Sequence, residues 1–298
     1  MSERPSPIHV WLLASRPKTL PAAVVPVLVG SALAAGVGAF HWGAAGLCLA
    51  FALLVQIGTN FANDYFDYVQ GADTEKRVGP ARAVASGWVS PATMRAAMLA
   101  TFAVALLVGL GLIPFGGWWL LPLGVLSILC GIAYTGGPYP LGYHGLGDVF
   151  VFLFFGLVAV GATFWVQART LTLEAVLAGA AVGGLAANIL VANNYRDRET
   201  DALAGKRTLV VRFGEGAGRA QYGAAVLLSG VVPLVFWARD GGAWSLLALG
   251  ALPLGLRCWS KLRPQTSPAG LIRLLAQTAA HLALFGVLLA AGLLLAGG

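Results

Sequence analysis

The chain has 298 residues, of which 58% are hydrophobic and only 10% are charged, and its mean hydropathy is +0.79. Soluble domains carry about 25% charged residues, so the composition excludes an ordinary soluble domain and predicts an all-α membrane protein. The net charge of +7 does not indicate a nucleic-acid partner, because so apolar a chain leaves no soluble basic surface for one.

Nine apolar runs follow one another along the chain. Each is long enough to cross a membrane as a helix, which takes about 17–25 residues. They occupy residues 19–40, 44–62, 92–113, 117–135, 148–167, 174–195, 220–238, 243–259 and 275–296. The joints between them are short, so we expect one integral-membrane domain that comprises residues 1–298 and is surrounded by membrane lipid.

The lysines and arginines are distributed asymmetrically across the predicted membrane. If the joints alternate between the two sides, all nineteen except Arg169 and Arg239 lie on the side of the N-terminus. Cytoplasmic loops carry the excess of positive charge, so the N-terminus is predicted to be cytoplasmic and the C-terminus to lie outside. The expected location is the inner (plasma) membrane, which the chain crosses several times.

Most of the twelve acidic residues lie in two joints on the predicted cytoplasmic side, after the second and the sixth helix. An acidic residue at membrane depth costs about 2.5–3.5 kcal/mol on insertion scales, which makes it a functional candidate. We therefore expect an active site that faces the cytoplasm. The first joint contains Asp64, Asp67, Asp73 and Glu75, and the second contains Asp197, Glu199, Asp201 and Glu215.

The two acidic joints resemble each other at an offset of 130 positions. Both contain the pattern N-[DN]-Y-x-D-x8-K-R, within the segments 60–82 and 193–212. Two copies of one pattern indicate a pseudo-repeat of helical units that face each other. In each copy, polar residues spaced by three or four positions share one face of a helix end. They are Asn60, Asp64 and Asp67 in the first copy and Asn193, Asp197 and Asp201 in the second.

Carboxylate and amide oxygens without His or Cys ligands favour a hard cation, and they indicate Mg²⁺ rather than Zn²⁺. The predicted metal ligands are Asp64, Asp67, Asp73, Asp197 and Asp201, and all of these except Asp73 are also predicted to be catalytic. The amides of Asn60, Asn63 and Asn193 are expected to support substrate binding beside them.

Basic residues near the same joints are candidates for binding a diphosphate, because guanidinium groups match phosphate oxygens bidentately. The candidates are Arg77, Arg82, Lys206 and Arg207, together with Arg16 and Lys18 at the start of the first helix. The positive-inside bias is the competing explanation. The sequence therefore leaves open which of them bind substrate and which only set the topology.

A diphosphate site at the face of an apolar bundle suits a substrate with a charged head and a long apolar tail. A polyprenyl diphosphate has this form, and metals and arginines would also stabilise diphosphate as a leaving group. The alternative is a cation-coupled transporter, because acids at membrane depth also mark ion pathways. A transporter built from inverted repeats would carry the motifs on opposite sides of the membrane, whereas both motifs here are predicted on one side.

These residues resemble the UbiA superfamily of intramembrane prenyltransferases along nearly the whole chain. "NDYFDYVQGAD" (63–73) and "NNYRDRETD" (193–201) look like the two Asp-rich motifs of that family. "SRPKTLPAAVVPVLVG" (15–30), "YTGGPYPLGYHGLGD" (134–148) and "RDRETDALAGKRTLVVRFG" (196–214) are similar to its MenA type. Ubiquinone-type members usually carry a Tyr-x-x-x-Lys-Arg pattern after the fourth helix, and its absence after Tyr134 argues against a 4-hydroxybenzoate substrate.

The resemblance implies a UbiA-type bundle of nine helices and a Mg²⁺-dependent transfer of a polyprenyl group from polyprenyl diphosphate to 1,4-dihydroxy-2-naphthoate. Loss of CO₂ and diphosphate would give demethylmenaquinone for menaquinone biosynthesis, and another aromatic acceptor is the alternative. The loop after the fourth helix is expected to orient the acceptor through Tyr134, Tyr139, Tyr143, His144 and Asp148. For His144, a simple hydrogen bond within the loop is equally consistent with the sequence.

Overall fold

The computed structural model describes residues 5–73, 79–240, 242–263 and 267–296, and these residues form helices and connecting loops without a strand. Arg77, a predicted diphosphate ligand, lies outside the described residues. The α-helices are α1 (Pro7–Ser15), α2 (Pro21–Gly36), α3 (Trp42–Val69), α4 (Pro91–Leu110), α5 (Ile113–Gly116), α6 (Leu120–Ala133), α7 (Gly147–Val151), α8 (Ala159–Ala168), α9 (Leu173–Leu203), α10 (Leu209–Asp240), α11 (Leu252–Lys261) and α12 (Pro268–Ala296). Short 3₁₀ segments lie at Pro17–Thr19 and Ala243–Ala251, and a π-helical segment lies at Phe152–Val158.

Each of the nine predicted apolar runs falls on helical structure, which confirms the all-α architecture. Within the described ranges, six helices are long and apolar enough to cross a membrane, or seven if the bent pair α1–α2 forms one span. Helix α6 has only 14 residues, and the run at 243–259 divides into a 3₁₀ segment and α11. The count of nine spans and the orientation of the termini therefore stay predictions.

Side-chain caps explain where two of the long helices begin. The Ser90 hydroxyl accepts a hydrogen bond from the amide of Thr93 at 3.1 Å, at the start of α4. The Thr172 hydroxyl accepts one from the amide of Ala175 at 3.3 Å, at the start of α9. Such caps satisfy amide groups that have no partner within the first turn of a helix. Both helices accordingly begin within one residue of the predicted starts at 92 and 174.

Helices α3 and α9 continue beyond their predicted ends at residues 62 and 195. Helix α3 runs to Val69 and α9 runs to Leu203. Polar residues replace apolar ones on the last turns, which lowers the local hydropathy but leaves the backbone hydrogen bonds of the helix intact. Asp64, Asp67, Asp197 and Asp201 therefore lie on helix ends, whereas Asp73 lies in the loop after α3.

Helix α9 lies at the centre of the bundle. Of its most apolar stretch, 78% is buried inside the protein, against 22% for α4. It packs against α10, α12 and the π-helical segment. Where α9 meets the π-helical segment, Gly183 faces the backbone of Phe152 and Gly156. A Cβ atom on Gly183 would overlap that backbone. Close approach of small residues is how helices associate in lipid, and here it anchors the helix that carries the second motif.

The bend between α1 and α2 brings the start of the chain to the polar end of α3. The segments Pro7–Thr19 and Pro21–Gly36 meet at 53°. Arg16, within the first of them, has a left-handed φ of 51°. The amide nitrogen of Asn60 donates to the carbonyl of Ser15 at 2.9 Å. The amide nitrogen of Gln56 donates to the hydroxyl of Thr19 at 3.1 Å. These two bonds tie the bend to α3.

Candidate active site

Two connected cavities lie within the bundle. The polar chamber lies between the ends of α3 and α9 and is bordered by the loops before α4, α7 and α10. The apolar cavity runs between α2, α3, α6, the π-helical segment and α8. Both cavities are lined by the same boundary residues, Ala22, Gln56, Thr59, Tyr134, Val151 and Phe155. A molecule with a charged head and an apolar tail can therefore occupy both.

Asp67 connects three separate segments of the chain. Its Oδ1 accepts hydrogen bonds from the Tyr143 hydroxyl at 2.9 Å and from the Lys206 ammonium at 3.1 Å. Its Oδ2 accepts one from Nη2 of Arg82 at 2.8 Å. The Asp67 side chain is only 3% exposed, so these charge-assisted bonds are shielded from water and hold the walls of the polar chamber together.

Lys206 links the first Asp-rich motif to the second. Its Nζ lies 3.1 Å from Oδ1 of Asp67 and 3.9 Å from Oδ1 of Asp201. The same ammonium stands 4.6 Å from the centre of the Tyr143 ring, within range of a cation–π interaction. Residues from α3, α9 and the loop before α7 therefore meet around one basic side chain.

Arg82 is buried between two carboxylates of the first motif. Besides its bond to Asp67, its Nε lies 3.6 Å from Oδ1 of Asp73. Its Nη1 is also buried and has no acceptor among the described residues. A buried donor without a partner carries a free-energy cost, and Arg82 is one of the residues that line the chamber. Asp73 is not among the residues that line the chamber.

Asp64 is hydrogen-bonded to the backbone of the loop before α4. Its Oδ2 accepts from the amide of Ala83 and its Oδ1 from the amide of Val84, both at 3.0 Å. Asp64 is buried and does not line the polar chamber. It anchors the loop that carries Arg82, and its predicted role as a metal ligand stays a prediction.

The second motif contributes a residue that the sequence analysis missed. Arg196 lines the chamber, and its guanidinium binds both carboxylate oxygens of Asp197, with Nε donating to Oδ1 at 2.7 Å. The Arg196 side chain is 4% exposed. Its spacing of three from Asn193 places it on the same helix face, which is the signal that could have identified it. Arg198, by contrast, points away from the chamber and pairs with Glu215 at 2.8 Å.

The three predicted amides all line the chamber. Asn63 accepts a hydrogen bond from the hydroxyl of Thr135 at 2.9 Å, which fixes the start of the loop after α6. Asn60 is committed to the bend between α1 and α2 through its bond to Ser15. Asn193 lies one helical turn before Asp197 on the chamber wall.

Two of the predicted acceptor-binding tyrosines face the cavities. Tyr134 lines both the chamber and the apolar cavity, and Tyr143 lines the chamber. Burial, followed by the negative charge of Asp67 and its hydrogen bond, raises the pKa of the Tyr143 hydroxyl above its ordinary value. Tyr143 therefore remains a neutral donor to Asp67 at physiological pH.

The other predicted residues of this loop do not line the chamber. The ring of Tyr139 stacks on the ring of His144 with centroids 3.6 Å apart, and Nδ1 of His144 lies 2.9 Å from the carbonyl oxygen of Pro140. Asp148 is buried on the first turn of α7 and accepts from the side-chain amide of Gln221 at 3.1 Å. Their predicted contact with an aromatic acceptor is not supported by these positions.

The predicted basic residues divide into two groups. Arg16, Arg82 and Lys206 line the chamber. Lys18 and Arg207 are exposed and lie outside it, although the Arg207 amide donates to the carbonyl of Tyr143 at 2.7 Å. The side chains of Lys18 and Arg207 thus fit the alternative explanation, a contribution to topology.

The chamber fits a hard cation in the chemistry of its donors. Asp67, Asp197 and Asp201 supply carboxylate oxygens, and no His or Cys lines the chamber in the described part of the chain. The ammonium of Lys206 between Asp67 and Asp201 marks a place where a cation already sits. Among the described residues, no three acidic, His or Cys side chains are close enough to hold a metal ion in this arrangement. In this arrangement the carboxylates are paired with the basic side chains of the chamber.

A helical bundle in which a charged chamber adjoins an apolar cavity is suited to molecules with a polar head and an apolar tail. Residues 23–275 match the sequence pattern of the UbiA prenyltransferase family. The chain belongs to this family and is a prenyltransferase. The predicted resemblance is thereby confirmed, and so is the expectation of an enzyme rather than a transporter.

Similar proteins are known by sequence and by structure. The chain is 39% identical over 268 residues to 1,4-dihydroxy-2-naphthoate octaprenyltransferase of Mycobacterium tuberculosis, covering 90% of this chain and 91% of that one. It is 37% identical over 297 residues to the protein of the same name from Escherichia coli, covering 96% of each. A UbiA homolog from Archaeoglobus fulgidus, solved with GPP and Mg²⁺, has the same fold, with a TM-score of 0.65 at 17% identity over 94% of this chain and 99% of that one.

Proposed function

We propose that this prenyltransferase transfers a polyprenyl group from polyprenyl diphosphate to 1,4-dihydroxy-2-naphthoate, with release of CO₂ and diphosphate. The product would be the quinol form of demethylmenaquinone, an intermediate of menaquinone biosynthesis. The observation that carries the proposal is the continuity of the polar chamber with the apolar cavity past Tyr134 and Gln56. The choice of acceptor is supported by the names of the curated relatives.

The basic side chains of the chamber would bind the diphosphate head. Nη1 of Arg82 is a buried donor with no acceptor among the described residues, and Arg196 and Lys206 line the same space. Guanidinium groups bind phosphate oxygens bidentately, and the lysine adds a compact charge. Held in this way, the diphosphate would leave as a stabilised anion when the allylic carbon–oxygen bond breaks.

Asp67, Asp197 and Asp201 are the residues that would hold Mg²⁺. When bound, the metal supplies positive charge that neutralises the oxygens of the departing diphosphate. Support comes from the chemistry of the donors in the chamber and from the Archaeoglobus fulgidus neighbour, which was solved with GPP and Mg²⁺.

The polyprenyl tail would extend into the apolar cavity, which removes its carbon atoms from contact with charge and water. The allylic carbon would then lie at the boundary of the two cavities, beside the ring of Tyr134. An aromatic ring can stabilise a cation at its face. The electron-rich ring of the acceptor would capture the allylic carbon there, and the carboxylate of the acceptor would leave as CO₂.

The chamber would face the cytoplasm, and the protein would cross the plasma membrane several times. The support is the distribution of lysine and arginine, which places nearly all basic residues on the side of the two motifs. Water-soluble dihydroxynaphthoate could then reach the chamber from the cytoplasm, while the prenylated product would stay in the membrane.

The proposal is tested with membranes that contain the protein, a series of prenyl diphosphates, 1,4-dihydroxy-2-naphthoate and Mg²⁺, with the product identified by mass. We expect a prenylated naphthol that has lost the carboxyl group. The same assay with other aromatic acids tests the alternative acceptor. If product forms only with an aromatic acid other than the naphthoate, the naphthoate assignment is overturned. If folded protein forms no product with any acceptor, the proposed reaction is overturned.

A further inference from the structure

The carboxylates that line the polar chamber are all engaged by basic side chains of the chain itself. Lys206 bridges Asp67 and Asp201 at 3.1 and 3.9 Å. Arg196 binds both oxygens of Asp197. The chamber thus contains three such acids, Asp67, Asp197 and Asp201, and the basic residues Arg82, Arg196 and Lys206 that pair with them.

This pairing makes the entry of either ligand alone unfavourable. A divalent metal ion alone would displace Lys206 or Arg196 from a carboxylate. The displaced basic side chain would then have no counter-charge in a buried site, which is costly. A diphosphate alone would attract the basic side chains and leave the carboxylates facing an anion. If both ligands enter, every displaced group gains a new partner.

We propose that Lys206 is an exchangeable cation that couples metal binding to diphosphate binding. In the structure its ammonium pairs with Asp67 and Asp201. When a divalent metal takes over these carboxylates, the ammonium moves to the diphosphate. This inference rests on the proposed function, because it assumes that the chamber receives a diphosphate together with a metal.

Lys206 is better suited to this exchange than the other cations of the chamber. Its side chain is 18% exposed, against 9% for Arg82 and 4% for Arg196. It has a flexible stem and a compact charge that does not depend on a fixed bidentate geometry. It also follows Gly205, whose φ of 74° belongs to the turn that ends α9, so it is carried by a loop and not by a helix.

Asp67 retains partners when Lys206 leaves. Arg82 still pairs with its Oδ2 at 2.8 Å, and the Tyr143 hydroxyl still donates to its Oδ1 at 2.9 Å. The exchange therefore does not strip the central carboxylate of hydrogen bonds, and loss of the lysine side chain need not unfold the chamber.

Coupling of this kind is reciprocal. The factor by which a diphosphate tightens metal binding must equal the factor by which the metal tightens diphosphate binding. The full-length protein in detergent micelles provides the test, with Mn²⁺ measured by electron paramagnetic resonance and inorganic pyrophosphate as the anion. Mn²⁺ and pyrophosphate are each titrated alone and in the presence of the other. The contribution of the metal–pyrophosphate complex, measured in protein-free buffer, is subtracted.

The wild-type protein is expected to bind Mn²⁺ about tenfold or more tightly in the presence of pyrophosphate. Lys206→Met is expected to bind Mn²⁺ alone about tenfold more tightly than wild type, to bind pyrophosphate alone more weakly and to lose most of the coupling. Lys206→Arg retains the charge and should retain the coupling. Arg95→Met removes an exposed cation of α4 outside the chamber and should change neither affinity.

The inference is overturned if pyrophosphate leaves the Mn²⁺ affinity of the wild type unchanged, a result that needs no variant. It is also overturned if folded Lys206→Met binds Mn²⁺ alone no more tightly than wild type. If Mn²⁺ and pyrophosphate binding are coupled but the protein transfers no prenyl group, only the proposed function is contradicted. Prenyl transfer without an effect of Lys206 on coupling would contradict only this inference.

Discussion

Asp67 and Lys206 lie 139 positions apart in the chain, yet the ammonium of Lys206 donates to Oδ1 of Asp67 at 3.1 Å. Asp67 belongs to the last turns of α3, and Lys206 to the loop after α9. Tyr143, from a third segment, donates to the same oxygen at 2.9 Å. One buried carboxylate therefore joins three segments of the chain at the wall of the chamber.

Asp67→Asn should reduce prenyl transfer about 100-fold or more, since losing one charge-stabilising group of an active site typically costs this much. It should also lower the melting temperature, because Arg82 and Lys206 lose a buried counter-charge. Product formation and thermal unfolding in detergent measure the two effects. Glu199→Gln is the matched control, because Glu199 is 84% exposed. Activity of Asp67→Asn close to that of the control would contradict the central role of Asp67.

Asp64→Ala should destabilise the loop before α4 without removing a metal ligand. The amides of Ala83 and Val84 lose their acceptor, and a buried donor without a partner costs about 1–3 kcal/mol. We expect a lower melting temperature and a higher KM for prenyl diphosphate, because Arg82 lies in this loop. The Mn²⁺ affinity measured with pyrophosphate should stay near that of wild type. An unchanged melting temperature with loss of Mn²⁺ binding would instead support the metal-ligand role predicted from the sequence.

Tyr143 should make the stability sensitive to strongly alkaline pH. Burial, and then the charge of Asp67, raise the pKa of its hydroxyl above the ordinary value near 10. At a pH between the two pKa values, the folded protein keeps this proton and the unfolded chain has lost it. The contribution of the neutral hydroxyl to stability is therefore full below about pH 10 and is lost as the pH rises through the folded pKa. Melting temperatures from pH 8 to 11 should fall more steeply for wild type than for Tyr143→Phe, and parallel curves would contradict this assignment.

Ala52→Trp should shorten the longest prenyl tail that the enzyme accepts. Cys48, Ala52 and Gln56 line the apolar cavity on successive turns of α3, and each step of four residues advances about 6 Å along the helix. A bulky ring at the middle turn should exclude long tails and leave room for short ones. The check is the ratio of kcat/KM for a long and a short prenyl diphosphate. Leu107→Trp is the control, because Leu107 is 66% exposed on α4, and an equal ratio in both variants would contradict a tail in this cavity.

Gly183→Ala should destabilise the bundle at the contact between α9 and the π-helical segment. A Cβ atom at this position would overlap the carbonyl oxygen of Phe152, a backbone atom that cannot turn aside. Overpacking of this kind typically costs about 1–3 kcal/mol. Gly46→Ala is the control on α3, since nothing lies within 4 Å of its added Cβ. Equal melting temperatures for the two variants would show that the helices can separate at no cost.

Much of the architecture could be predicted because it depends on short stretches of sequence. A long apolar run can satisfy its backbone in lipid only as a helix, and caps such as Ser90 and Thr172 mark where a helix begins. The ends of α3 and α9 were harder to predict. Hydropathy falls at the first aspartates, whereas the backbone hydrogen bonds continue to Val69 and Leu203.

The roles of neighbouring polar residues depended on the tertiary structure. Asp64 and Asp67 are three positions apart and alike in composition. One anchors a loop, while the other faces the chamber, because the chain returns past Asp64 at residues 83 and 84. Nothing in the local sequence specifies where that return passes.

The sequence by itself determined that this protein is an apolar helical bundle with two similar acidic motifs, since hydropathy and spacing are properties of each segment alone. Only the tertiary structure decided which charges face the chamber. Arg196 points inward and Arg198 outward, although both stand on α9. Lys206 reaches Asp67, while the next residue, Arg207, is exposed. The physical reason is that the packing of the helices sets the surroundings of each side chain: Lys206 meets Asp67 from 139 positions away, whereas Arg198 meets Glu215 of α10.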